Sequence, residues 1–124
     1  MHKFKIKANE KGAFTVQFVY NSEVMVWSET YSAKASAKNC IASIKKNAPG
    51  AAIIDLTKGE TGSGYRFEID EAKSGETFVR FRASNGEVMV RSETYSSKGS
   101  AKNCATSIQK NAPDAPTEDE TLAS

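Results

Sequence analysis

Glu23–Ala51 reads EVMVWSETYSAKASAKNCIASIKKNAPGA, and Glu87–Ala115 reads EVMVRSETYSSKGSAKNCATSIQKNAPDA. The spacing is constant, 87 − 23 = 64, and 22 of the 29 paired positions are identical, so the chain is one unit written twice. A unit of about 60 residues buries only about 60% of its unfolded surface and is marginal alone. The two copies are therefore expected to complete one another in a single domain, 1–115, with repeat one at 3–57, a connector at 57–64 and repeat two at 65–115.

Upstream of the first copy, Phe4, Ile6 and Ala8 alternate with Lys3, Lys5 and Lys7, the period of a strand with one buried face. Glu10-Lys11-Gly12 reads as a turn, and Phe14, Val16, Phe18 and Tyr20 form a second strand. Val24–Trp27 is a third strand, too uniformly apolar for its inward face to be assigned. Ser32 is placed to cap a helix whose apolar stripe is Ala33, Ala37, Cys40, Ile41, Ile44 and Ala48. Asn47, suited to a left-handed exit, and Pro49 end it, and Ala51–Leu56 makes a short fourth strand.

The connector Thr57–Gly64 has three glycines and no apolar residue. Behind it Tyr65, Phe67 and Ile69 alternate with Arg66, Glu68 and Asp70, Thr77–Ala83 follows, and Asn85-Gly86 signals a type I′ hairpin. A strict shift of 64 would set Arg80 and Arg82 where Val16 and Phe18 stand, and unpaired buried charge is too costly for that. The register adopted matches Phe14, Val16 and Phe18 to Val79, Phe81 and Ala83, absorbs an extra residue of copy one at Tyr20-Asn21-Ser22, and sends Arg80 and Arg82 to solvent. The second helix, about Ser97–Lys110, repeats the stripe as Ala101, Cys104, Ala105, Ile108 and Ala112. Pro116–Glu120 lacks the apolar content of Ala51–Leu56, so 116–124 is expected to be a disordered acidic tail.

Composition excludes several classes. The chain is 39% hydrophobic and 26% charged, near the globular average. The opening MHKFKIK is neither a signal peptide nor a membrane anchor, and with only two cysteines the expectation is a cytoplasmic protein without a disulfide scaffold or cysteine zinc site. Residues 1–57 carry 8 Lys/Arg against 4 Asp/Glu and residues 58–124 carry 9 against 11, so the halves are +4 and −2. Such values describe surface potential, not a committed polyanion partner.

Three strands, then SETYS-x-K-x-S-A-K-N, then a helix leaving through Lys-Asn-Ala, together with the Asn85-Gly86-Glu87 turn, resemble the YegP-like family of small bacterial proteins over residues 4–115. The resemblance implies an α+β fold in which two tandem β-β-β-α-β units, related by a pseudo-twofold axis, form one antiparallel sheet with both helices on one face. It further implies that the terminal strands cross to the partner unit. It attaches no activity. Cys40 and Cys104 stand where glycine is common in the family, which argues against a close backbone approach there.

No residue set amounts to a reaction centre. Cys40 and Cys104 form a redox pair only if the helices lie side by side, and their place on apolar stripes favours packing. Ser43-x-x-Lys46 and Ser107-x-x-Lys110 match an acylase spacing but lie among solvated lysines without companion motifs. His2 has no metal partners. The recurring SETYS junctions, with Tyr31, Ser32, Tyr95 and Ser96, read first as capped helix starts and second as ligand-binding clusters. Lys34 and Lys98 extend those clusters, and Trp27 with its counterpart Arg91 marks a position that need not be buried.

The expectation is a monomeric, non-enzymatic binding or interaction module without cofactor, metal or membrane contact, its partner a protein or small ligand of unknown identity. Two alternatives are weak nucleic-acid binding through Lys34, Lys38, Lys45, Lys46, Lys98, Lys102 and Lys110, and a thiol-dependent enzyme using Cys40 and Cys104.

Overall fold

A computed structural model describes residues 1–121. The strands are β1 (His2–Ala8), β2 (Phe14–Tyr20), β3 (Glu23–Trp27), β4 (Ala52–Asp55), β5 (Arg66–Glu71), β6 (Thr77–Arg82), β7 (Val88–Ser92) and β8 (Thr117–Asp119). The helices are α1 (Lys34–Asn47) and α2 (Lys98–Asn111). All strands join one sheet in the order β4-β5-β6-β7-β3-β2-β1-β8. The expectation of an antiparallel sheet is corrected: the six central strands are antiparallel, but β4 runs parallel to β5 and β8 parallel to β1. β4 follows α1 and β8 follows α2; the chain returns from β4 to its parallel neighbour β5 through the connector at 56–65, whereas α2 lies on the path from β1 to β8. The sheet is therefore mixed, in an α+β fold.

Alternation in the strands dictates the layers. Phe4, Ile6, Val16, Phe18, Phe67, Ile69, Val79 and Phe81 point to one face and are buried under Ala37, Ile41 and Ile44 of α1 and Ala101, Ala105 and Ile108 of α2. Each such apolar side chain contributes about 1.5–3 kcal/mol by leaving water. The opposite face carries Lys3, Lys5, Lys7, Arg66, Glu68, Asp70, Arg80 and Arg82, all out of step with the core positions.

The register differs from the expected one. The Val16 amide donates to Ser28 Oγ (2.8 Å) and the Val79 amide to Ser92 Oγ (3.0 Å), while Phe14 bridges Tyr31 and Thr77 bridges Tyr95. Val16 thus corresponds to Val79, 79 − 16 = 63, and not to Phe81. The extra residue belongs to copy two, in the loop Ser84-Asn85-Gly86 closed by Ala83 N to Glu87 O (2.8 Å) and Gly86 N to Ala83 O (2.9 Å). Only Gly86 has positive φ there, 89°, so the turn is a three-residue loop ending in a left-handed glycine and not type I′. In copy one Asn21 takes the left-handed conformation instead, at φ 54°.

Arg80 and Arg82 leave the helix-covered face as expected, but they do not reach free solvent. Their side chains are 14% and 27% exposed and hold Glu68 at 2.9 and 2.6 Å. β3 and β7 are each bulged, because Phe18 pairs with Val26 and Val19 with Val24, and Phe81 pairs with Val90 and Arg82 with Val88. The bulged residues are Met25 and Met89. Met25 and Val26 are consequently buried side by side, as are Met89 and Val90, which is why β3 shows no alternation.

The recurring serines that open SETYS continue the ladder at the ends of β3 and β7. Ser28 Oγ accepts from Val16 N and donates to Glu29 O (2.8 Å), and Ser92 Oγ donates likewise to Glu93 O (2.8 Å). Ser92→Ala strands the buried Val79 amide and is expected to cost about 2 kcal/mol. A urea midpoint unchanged from wild type would refute that role.

Helix ends also depart from expectation. Ala33, not Ser32, is the N-cap of α1 and it makes no side-chain cap bond, whereas Ser97 Oγ caps α2 by accepting from Ser100 N (3.2 Å). Asn47 is right-handed, φ −105°, and its side-chain amide donates to Ser43 O (2.9 Å), as Asn111 does to Ser107 O (2.9 Å).

The expected tail is corrected too. Thr117–Asp119 is β8, with Phe4 N donating to Pro116 O (2.8 Å) and Glu120 N to Ile6 O (3.0 Å). It docks without apolar residues because β1 offers lysines: Lys3 pairs with Glu118 (2.8 Å) and Lys5 and Lys7 with Glu120 (3.1 Å each). Residues 122–124 of the expected tail lie outside the described residues.

Candidate functional site

Tyr31 leaves β3 toward α1, and its backbone pairs in both directions with Phe14 (2.7 Å each), so its ring is fixed against the start of the helix. The first two turns of α1 bring Ser36, Asn39 and Cys40 beside it, and the far wall is Glu87 and Met89 from the β6–β7 hairpin of the other copy. Tyr65, whose hydroxyl accepts from Ser43 Oγ (3.3 Å), and Glu29 complete a crevice of about 450 Å³. A crevice of about 250 Å³ repeats the design with Tyr95, Ser100, Asn103 and Cys104 from copy two and Glu23 and Met25 from copy one. Counterparts of Tyr65 and Ala83 at the first crevice are His2 and Tyr20, 65 − 2 = 63 and 83 − 20 = 63. The rings of His2 and Tyr20 meet at 4.4 Å, tilted by 39°, and His2 Nε2 meets Ser107 Oγ at 3.1 Å.

Burial first, then the neighbouring Cys40 and the charge of Glu87, raises the Tyr31 phenol above its ordinary range. Tyr95 is raised in the same way by burial, Cys104 and the charges of Glu93 and Glu23. Burial pushes both thiols up to about 11, outweighing the hydrogen bond that each tyrosine offers. At neutral pH the Cys40 and Cys104 thiols and the Tyr31 and Tyr95 phenols are therefore neutral. Among the described residues, Glu29 and Glu87 form no ion pair.

The residues singled out from the sequence fall in three places. Tyr31 and Tyr95 line the crevices, each beside its cysteine, while Ser32 and Ser96 are exposed. Lys34 pairs with Asp119 (3.0 Å) and Lys98 with Asp55 (3.0 Å), so both tie a helix start to an edge strand. Trp27 and Arg91 are direct cross-strand partners on β3 and β7, on the uncovered face. Cys40 and Cys104 are free, buried, and belong to different crevices. The Ser-x-x-Lys serines bond Tyr65 and His2, not their lysines.

Glu23, Glu87, Met25, Met89, Asn39 and Asn103 were not foreseen as site residues. A signal for them existed, since all six stand among the positions identical in the two copies. No group of His, Cys, Asp and Glu arranged to hold a metal occurs among the described residues, and no helix is long and apolar enough to cross a membrane.

Comparison with known proteins bears out the resemblance. The family profile described as "Domain of unknown function (DUF1508)" matches twice, at residues 10–55 and 72–119. A UPF0339 protein of Caulobacter vibrioides is 61% identical over 56 residues, 45% of this chain and 95% of that protein, so that relative is a single unit. A UPF0339 protein of Bordetella pertussis is 38% identical over 103 residues, 83% of this chain and 81% of the relative. UPF0339 protein YegP of Yersinia pestis is 31% identical over 109 residues, 87% and 86% of the two chains. In three dimensions the chain is similar to the solution structure of yegP from E. coli, described as a protein of unknown function, with a TM-score of 0.77 at 22% identity over 96% of this chain and 92% of that one. With both units matched by the profile and more than four-fifths of its length shared with bacterial relatives, the chain belongs to the DUF1508 (UPF0339) family, that of the YegP proteins.

Proposed function

We propose that this protein is a cytoplasmic, monomeric, non-enzymatic binding module, in which two units related by a pseudo-twofold axis build two crevices of one design, each taking a cationic group. The single-unit relative supports the layout: one unit of this chain matches nearly the whole of that protein, so the chain carries two such units covalently joined. The observation that carries the ligand class is the 450 Å³ crevice, where Glu29 and Glu87 stand without an ion-pair partner among the described residues beside the hydroxyls and rings of Tyr31 and Tyr65. Carboxylates attract an ammonium or guanidinium, and tyrosine faces add cation–π attraction. Thiol chemistry finds no support, since a nucleophilic cysteine needs a lowered pKa and these are raised.

Titration of isotope-labelled protein with spermidine tests this reading. Amide and side-chain signals of Asn39, Cys40 and Glu87 are expected to move, and Glu29→Gln with Glu87→Gln is expected to weaken binding at least tenfold. Shifts scattered over all acidic surface residues, or none at the crevice, would sink it.

A further inference from the structure

The helices cover one face of the eight-stranded sheet, and the other face has an unbroken cross-strand row through its middle. It runs Glu68, Arg80, Arg91, Trp27, Gln17 and Lys5, each directly opposite the next. Arg66, Arg80 and Arg82 are held by Glu68 and Asp70, and Lys3, Lys5 and Lys7 by Glu118 and Glu120. Arg91 differs from them: it is exposed and, among the described residues, has no carboxylate partner. Its guanidinium lies 4.7 Å from the Phe78 ring centre and 5.9 Å from that of Trp27. A recess of about 210 Å³ opens beside the pair, lined by Trp27, Glu29, Val88 and Arg91 among others, where the two-residue pairing of β3 with β7 ends.

We propose that this face binds single-stranded nucleic acid, with Arg91, Trp27 and Phe78 as the platform on which bases stack. Three observations converge on that occupant. The face is net positive, seven Lys or Arg against five Asp or Glu with Glu29 at the recess included, 7 − 5 = +2. Planar groups sit at its centre, and bases stack on aromatic rings and on guanidinium planes alike. The Arg91 guanidinium, whose Nε donates to Ser92 O (3.3 Å) and which has no carboxylate partner among the described residues, stands where a backbone phosphate or a base edge gains most, because the other cations of this face already have such partners. Neither copy makes this platform alone. Trp27 comes from copy one and Arg91 and Phe78 from copy two, at positions where the copies differ.

Trp27 is the only tryptophan, so its fluorescence reports on this face. Fluorescein-labelled oligouridine and oligothymidine of twelve nucleotides, added at 50 mM salt, are expected to quench Trp27 and raise probe anisotropy, with both effects weakening as salt rises. Arg91→Ala is expected to weaken binding at least fivefold. Arg91→Lys, which keeps charge and loses the plane, is expected to fall between the two. Lys46→Ala with Lys110→Ala, on the helices, is expected to leave affinity unchanged. No binding at 50 mM salt overturns the proposal, and so does loss of binding in the helix variant with retention in Arg91→Ala. Trp27 quenching that follows protein concentration without oligonucleotide overturns it in favour of a second copy of the chain.

Discussion

Glu68→Ala is expected to lower folding stability by about 3 kcal/mol, a buried-charge effect rather than the fraction of a kcal/mol typical of surface pairs. The Glu68 side chain is 7% exposed. Its Oε1 accepts from Arg80 Nε (2.9 Å) and Arg82 Nε (2.6 Å), and its Oε2 from Arg66 Nε (2.9 Å). Burial works to raise its pKa, but the hydrogen bonds from Arg82, Arg80 and Arg66 pull it below the usual carboxylate range. Without Glu68, three guanidiniums remain gathered with Asp70 as their one carboxylate, and Arg66 and Arg82 are direct cross-strand neighbours. The melting temperature should fall by about 10 °C on the scaling for a domain of this size. A loss below about 0.5 kcal/mol would place the cluster with ordinary surface pairs. Copy one cannot substitute, since Lys5 occupies the matching position, 68 − 63 = 5.

The repeat and the two-residue period were enough to read three strands and a helix per copy, and the residues of the core. They were not enough for register. Offsets of 63 and 65 are both odd relative to the helix offset of 64, so either one keeps Val79 and Phe81 inward and Arg80 outward. Choosing between them requires the geometry of the Ser84-Asn85-Gly86 loop and of the bulges at Met25 and Met89, which no hydrophobic pattern records. The crevices were half legible. Tyr31 and Cys40 are neighbours on one unit and stood out by repetition, but Glu87 and Met89 reach them from the other copy. Such contacts depend on how units pack, which local periodicity does not encode. The ion pairs of Lys34 and Lys98 were hidden for the same reason: their partners, Asp119 and Asp55, lie on strands that pair with the opposite unit.

Truncation after Ala115 should reveal how much that crossing contributes. A disordered tail would be lost without effect, whereas removal of β8 is expected to cost about 3 kcal/mol, from several backbone hydrogen bonds at about 1 kcal/mol each and modest ion pairs. The shortened chain loses the bonds to Phe4 and Ile6 and the partners of Lys3, Lys5, Lys7 and Lys34. It also uncovers the edge of β1, where only the lysines then oppose strand pairing between chains. Acid should mimic part of this loss. Hydrogen bonds from Thr121 and the nearby Lys34 hold Asp119 down at about 2, and Lys7 and Lys5 lower Glu120. A folded pKa below the unfolded one gives stability that is complete above the unfolded value and disappears as pH falls through the folded one. Stability of the full chain should therefore decline from about pH 4.5 toward pH 2, and the truncated chain should decline less steeply there, since Asp119 and Glu120 are gone. Urea midpoints of both chains at pH 7, 4 and 2.5 would test this. Parallel pH profiles would show that β8 is not held by its carboxylates.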